Sequence, residues 1–137
     1  MNISEGLDAD SDMQITLQGV DGMSKTYSIF FRPNFLKILQ LLFGFFEIGL
    51  YSEFSLDFTK QISDVITQLD SRFAFDFIIS KEMSYFSSEL DDFVKVYDGF
   101  TKSGRSPKGV IIVDANPCAV AGSMHLWVPV SYFDPKD

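Results

Sequence analysis

A single cysteine, Cys118, has no partner for an internal disulfide, and this predicts a reducing compartment. A single histidine, His125, beside that one thiol excludes a zinc site of ordinary composition. Positive charge is scarce: 11 Lys and Arg stand against 19 Asp and Glu, for a net charge of −8. Phosphate-backbone recognition needs local positive charge, so the balance argues against nucleic acid and against an anionic membrane surface. A bilayer span needs about 20 apolar residues. The greasiest segment, between Lys37 and Glu47, offers nine uncharged positions, from Ile38 to Phe46. The opening residues MNISEGLDADSD have neither a basic n-region nor an apolar h-region, so no signal peptide is expected and the location predicted is cytoplasmic. Neither an internal repeat nor a low-complexity segment interrupts the chain.

What is present in quantity is phenylalanine, fifteen in 137 residues, in a chain that is 46% hydrophobic. Each ring buries a large rigid area, so an aromatic core that needs neither metal nor disulfide is expected. A chain of this length buries roughly two thirds of the surface that its unfolded form exposes. The organising stretch is Asn34 to Tyr51, NFLKILQLLFGFFEIGLY, and its apolar content predicts a buried centre over which other elements pack.

Residues 1–12 carry Glu5, Asp8, Asp10 and Asp12 with no Lys or Arg, and read as an acidic flexible tail leading into one domain over 13–137. Met13, Ile15 and Leu17 alternate with polar residues, and Tyr27, Ile29 and Phe31 alternate beyond Asp21-Gly22, which predicts a β-hairpin. Asn34 is placed to cap a helix over 35–43, with Gly44 to end it. Even positions from Phe46 to Phe58 are apolar, a strand pattern broken at Ser52. Phe58, Ile62, Val65, Ile66 and Leu69 then fall on one face of a helix with Asp57 as its cap. Phe73 to Ile79 alternates as a strand, and Phe86, Leu90, Phe93, Tyr97 and Phe100 return to helical spacing, capped by Ser87 or Ser88. Thr101 to Gly109 is a basic loop, Val110 to Val113 reads as a fully buried strand, and Met124 to Tyr132 as an edge strand containing Pro129. The expected fold class is α+β: a mostly antiparallel sheet of about five or six strands with about three helices packed on one face.

Few constellations suggest chemistry. Asp8-Ala9-Asp10-Ser11-Asp12 opens like a calcium loop, but Met13 stands where Gly is required and Gly19 where the bidentate Glu should be. A solvated acidic segment is the preferred reading, so no metal site and no cofactor are expected. Gly104 to Gly109 has the outer spacing of a phosphate loop without the Lys-Ser/Thr pair that follows one; an anion held by Lys102, Arg105 and Lys108 is weighed against a plain connection. Cys118, His125 and Asp114 are the set from which a nucleophilic triad can be drawn, but Cys118 sits among Ala and Val and nothing nearby lowers its thiol pKa. No catalytic residue is assigned.

The surface candidates are Glu89, Asp91 and Asp92, which also suit a helix N-terminus, and His125 and Trp127 on the outward face of the last strand. Together they favour a non-catalytic acidic binding module of the immunity or inhibitor type. Its carboxylates would mimic phosphates and neutralise a basic partner such as a toxin nuclease. The alternatives are a small-molecule-binding domain or small enzyme, with Tyr51, Tyr85 or His125 converging in a pocket between sheet and helices, and a homodimer paired through an edge strand.

Overall fold

The computed structural model describes residues 1–18, 21–95, 106 and 109–136, and within them the chain is α+β. It divides into two compact units. The first comprises Met1–Ile48, Gln61–Ala74 and Phe133–Asp137, and the second Gly49–Lys60 and Phe75–Tyr132.

The first unit holds the longest ladders. β2 (Met13–Gln18) and β3 (Ser24–Phe30) form the expected hairpin, in register from Met13 opposite Ile29 to Gln18 opposite Ser24. Gly22 adopts φ +74°, and the Met23 amide donates to Asp21 Oδ1 at 3.0 Å, so the Asp-Gly pair shapes the turn. The other edge of β3 is taken by β1 (Asn2–Glu5), antiparallel from Asn2 opposite Phe30 to Glu5 opposite Tyr27. Residues 2–5 of the segment read as an acidic tail are thus a strand, which satisfies ladder groups that β3 would otherwise leave open. Two of the acids in residues 1–12 serve the backbone: Asp8 Oδ1 accepts from the Asp10 amide at 3.0 Å, and Asp12 Oδ2 from the Phe31 amide at 2.6 Å.

α1 (Phe35–Phe45) follows, two residues longer than the sequence predicts, with Gly44 inside it and the extended Phe46 as its C-cap. Asn34 precedes it at φ 64° and makes no side-chain cap bond, so its contribution is the left-handed backbone rather than the expected hydrogen bond. Leu39 is the one buried residue of α1, while Leu36, Ile38, Leu41 and Phe45 are exposed. The expected buried centre is thus reduced to a stripe: a helix apolar all round buries only the face that finds a partner. On that face Phe43 meets Phe73 of the 3₁₀ turn Ser71–Phe73 at 5.6 Å between centroids. Leu17, Ile29, Phe30, Leu39, Ile62, Ile66 and Phe73 form the core of this unit.

α2 (Leu56–Leu69) has residues in both units. Ser55 starts it: its hydroxyl accepts from the Phe58 amide and its carbonyl from the Thr59 amide, at 3.4 and 2.9 Å. Asp57, the expected cap, lies in the first turn, where its charge suits the helix dipole.

Shorter strands make up the second unit. β4 (Gly49–Tyr51) pairs in parallel with β5 (Phe77–Ile79), and β6 (Tyr85–Ser87) in antiparallel with β7 (Asp92–Val94). β8 (Ile112–Asp114) pairs in parallel with β9 (Trp127–Pro129). Among the described residues the strands therefore lie in four small sheets, two of them parallel, rather than in one larger sheet. The helix expected from Phe86 onward is the β6–β7 hairpin in its described part; Tyr97 and Phe100 lie outside the described residues. Asp91 turns this hairpin at φ 49°, a left-handed value that a helix interior does not admit. Phe86 and Phe93 then pair across the strands, edge to face at 5.4 Å. The strand predicted from Phe46 to Phe58 contracts to β4, since α2 claims Leu56 onward. The last strand contracts to β9, because Cys118–Leu126 forms a 3₁₀ run. In β8 Val113 is exposed, as is Ile111 before it, so the expected full burial there does not hold. Most of the Thr101 to Gly109 loop lies outside the described residues.

A candidate active site at the strand ends

Parallel strands gather binding groups beyond their carboxyl ends, where side chains from several strands converge. In the second unit β4 ends at Tyr51, β8 ends at Asp114, and β7 is followed directly by Lys95. Lys95 is 8% exposed, a rare position for an ammonium group unless it is paired. Its Nζ forms an ion pair with Asp114 Oδ2 and lies 5.0 Å from the centroid of the Tyr51 ring. Carboxylate and ring face thus stabilise the same cation. The Lys95 amide donates to Ala119 O at 2.8 Å, which fixes the backbone from which the side chain reaches out.

Each partner is held in turn. The Tyr51 hydroxyl shares a 3.0 Å hydrogen bond with Ser84 Oγ. Asp114 Oδ1 accepts from the Asn116 amide at 2.9 Å, and Asp114 O accepts from Trp127 Nε1 at 2.9 Å. Asn116 Nδ2 donates to Asp92 Oδ2 at 2.8 Å. That bond first, and the Phe93 amide second, hold the Asp92 carboxyl below its ordinary value. Chemically the arrangement offers a fixed cation beside one carboxylate, at the mouth of two parallel strand pairs. Such a cation suits an anion able to accept from Nζ, a phosphoryl group above all.

Of the surface candidates, Asp92 and Trp127 come together here, through Asn116 and Asp114 respectively. Glu89 and Asp91 are exposed in the β6–β7 turn, and His125 is exposed in the 3₁₀ run. The triad of Cys118, His125 and Asp114 is not assembled by any hydrogen bond that the structure records. Tyr85 is also exposed, as is His125, whereas the Tyr51 ring faces Lys95. A concavity of about 210 Å³ does exist in the first unit, lined by Gln40, Phe43, Gly44 and Arg72. Among the described residues no three His, Cys, Asp or Glu side chains gather as metal ligands, and no helix is long and apolar enough to cross a membrane.

Sequence reasoning passed over Lys95 and Asn116. The cue for the site was Asp114 itself, a charged residue directly after the apolar run Val110 to Val113, where a buried strand ends.

Compared with known proteins, residues 3–137 match the family model described as NLI interacting factor-like phosphatase. No curated protein matches the chain. The family match overturns the expectation of a non-catalytic immunity-type module, and with it the reading that the protein is not an enzyme. Net charge misled because it reports the whole surface and is blind to a single buried ammonium such as that of Lys95.

Proposed function

The chain belongs to the NLI interacting factor-like phosphatase family, and on that premise we propose that it hydrolyses phosphate monoesters at the carboxyl ends of β4 and β8, with Lys95 as the anchor for the phosphoryl group. The supporting observation is the buried Lys95 ammonium, held between Asp114 and the face of Tyr51. In phosphoryl transfer, charge spreads over the equatorial oxygens, and catalysis comes mostly from positioning and electrostatic stabilisation. A cation already desolvated and fixed by its neighbours stabilises that charge without reorganising. Asp114 keeps the ammonium oriented in the free protein, and the incoming phosphoryl oxygens take over part of its hydrogen bonding. The overall reaction breaks the ester P–O bond, forms a P–O bond from water, and returns the water's proton to the departing alcohol.

The test is hydrolysis of para-nitrophenyl phosphate, with inorganic phosphate binding followed by calorimetry. Lys95→Met is expected to lower kcat/KM by about 100- to 1,000-fold, the loss typical of removing one transition-state donor. Lys95→Met combined with Asp114→Asn leaves no unpaired charge, and is expected to fold while remaining inactive. A Lys95→Met protein as active as the parent would overturn the assignment.

A further inference from the structure

Two segments deliver the charged pair, and one side chain joins them. Lys95 follows β7, which begins at Asp92, and Asp114 ends β8, two residues before Asn116. The Asn116 carboxamide donates from Nδ2 to Asp92 Oδ2 at 2.8 Å and accepts at Oδ1 from the Cys118 amide at 3.0 Å. The backbone amide of the same residue donates to Asp114 Oδ1 at 2.9 Å. Asp92 is fixed at its other oxygen, where Oδ1 accepts from the Phe93 amide at 2.7 Å. The carboxamide at 116 does both tasks at once, donating to one neighbour and accepting from another.

We propose that Asp92 and Asn116 form a clamp that positions the Lys95–Asp114 pair, so that the ammonium meets the phosphoryl group at a set distance and angle. The inference rests on the phosphatase reading and adds to it two residues that touch no substrate. With Asn116 Nδ2 on Asp92, the start of β7 and the turn after β8 move together. With the Asn116 amide on Asp114 Oδ1, the carboxylate keeps Oδ2 turned towards Lys95. Releasing the clamp lets both charged groups drift, and misplacement on the order of 1 Å costs up to about a hundredfold in rate.

Reversing the polarity of the clamp tests it. Asn116→Asp sets two carboxylates against each other and removes the donor, and is expected to lower kcat/KM for para-nitrophenyl phosphate by about tenfold to a hundredfold. The fall should lie mainly in kcat, since the anchoring charge is still present. Adding Asp92→Asn puts the donor on the other side at unchanged net charge, and is expected to restore activity to within about twofold of the parent. A role confined to stability would let melting temperature and activity fall together, with no selective loss of kcat. The second readout is independent of turnover: lysine NMR of the Lys95 ammonium, whose ordered signal should broaden in Asn116→Asp and return in the double variant. If the parent neither hydrolyses the ester nor binds phosphate, the phosphatase reading fails while the NMR comparison still judges the clamp. A double variant as impaired as the single, or an unchanged Lys95 signal in Asn116→Asp, would overturn the clamp.

Discussion

Six residue pairs join β2 to β3 in the first unit, whereas three join β8 to β9 in the second. The long hairpin carries its specification in its own backbone: a turn with positive φ at Gly22, alternating faces, and β1 completing the other edge of β3. The short parallel pairs have too few ladder bonds for that, and side chains take over the task. Trp127 Nε1 bonds Asp114 O, Lys95 pairs with Asp114, and Asn116 reaches Asp92. Where backbone pairing is sparse, polar side chains define the geometry, and the same side chains can then do chemistry.

Removing the carboxylate of the pair should expose this contrast most strongly. Asp114→Ala leaves Lys95 buried without its counterion and is expected to destabilise by about 3–5 kcal/mol, measured by urea unfolding. Replacing both members with apolar residues should recover most of that loss, since paired buried charges give little net stability. In the first unit the comparable change is Ile29→Ala, at a position with 0% exposure in β3. It is expected to cost about 2–5 kcal/mol with no apolar rescue available at a neighbour.

A smaller effect sharpens the comparison inside the parallel pairs. Gly49 lies opposite Phe77, and a Cβ at this position would fall 1.8 Å from Phe77 Cε2. Gly49→Ala should cost about 1–3 kcal/mol by overpacking. Phe77→Leu in the same chain should lessen the penalty, a result that a melting series will show. The least effect belongs to the first unit, where Arg72 holds the Asp70 carboxyl down to about 2 through a side-chain hydrogen bond. A pKa lowered on folding contributes stability that is present above the ordinary aspartate value of 3.8 and lost as pH falls towards about 2. Parent and Asp70→Asn unfolding curves should therefore differ slightly at neutral pH and converge below pH 2, a small gap because the pair is exposed.

The same contrast explains what could be read from the residues. The hairpin at Asp21-Gly22 and the helices near Phe35 and Ile62 were legible, because each has a local period and a local punctuation mark. The β6–β7 hairpin was not. Phe86 and Phe93 are seven apart, a separation that suits two helical turns and equally a cross-strand pair about a tight turn. Only the left-handed Asp91 distinguishes the two, and an aspartate does not announce that conformation. The site was half legible. Asp114 and Tyr51 were weighed in separate constellations, but nothing in their spacing shows that both meet Lys95, because that meeting depends on strand pairing across distant parts of the chain.

The half-buried Cys118 has a practical consequence of its own. It is the sole thiol in the sequence, and its amide is bonded to Asn116 Oδ1. A thiol-specific reagent will therefore mark one atom of the whole polypeptide, two residues from the carboxamide that joins the strands. The pace of that labelling becomes a clock for how often this turn opens, readable with a dye and a stopwatch before any substrate has been found.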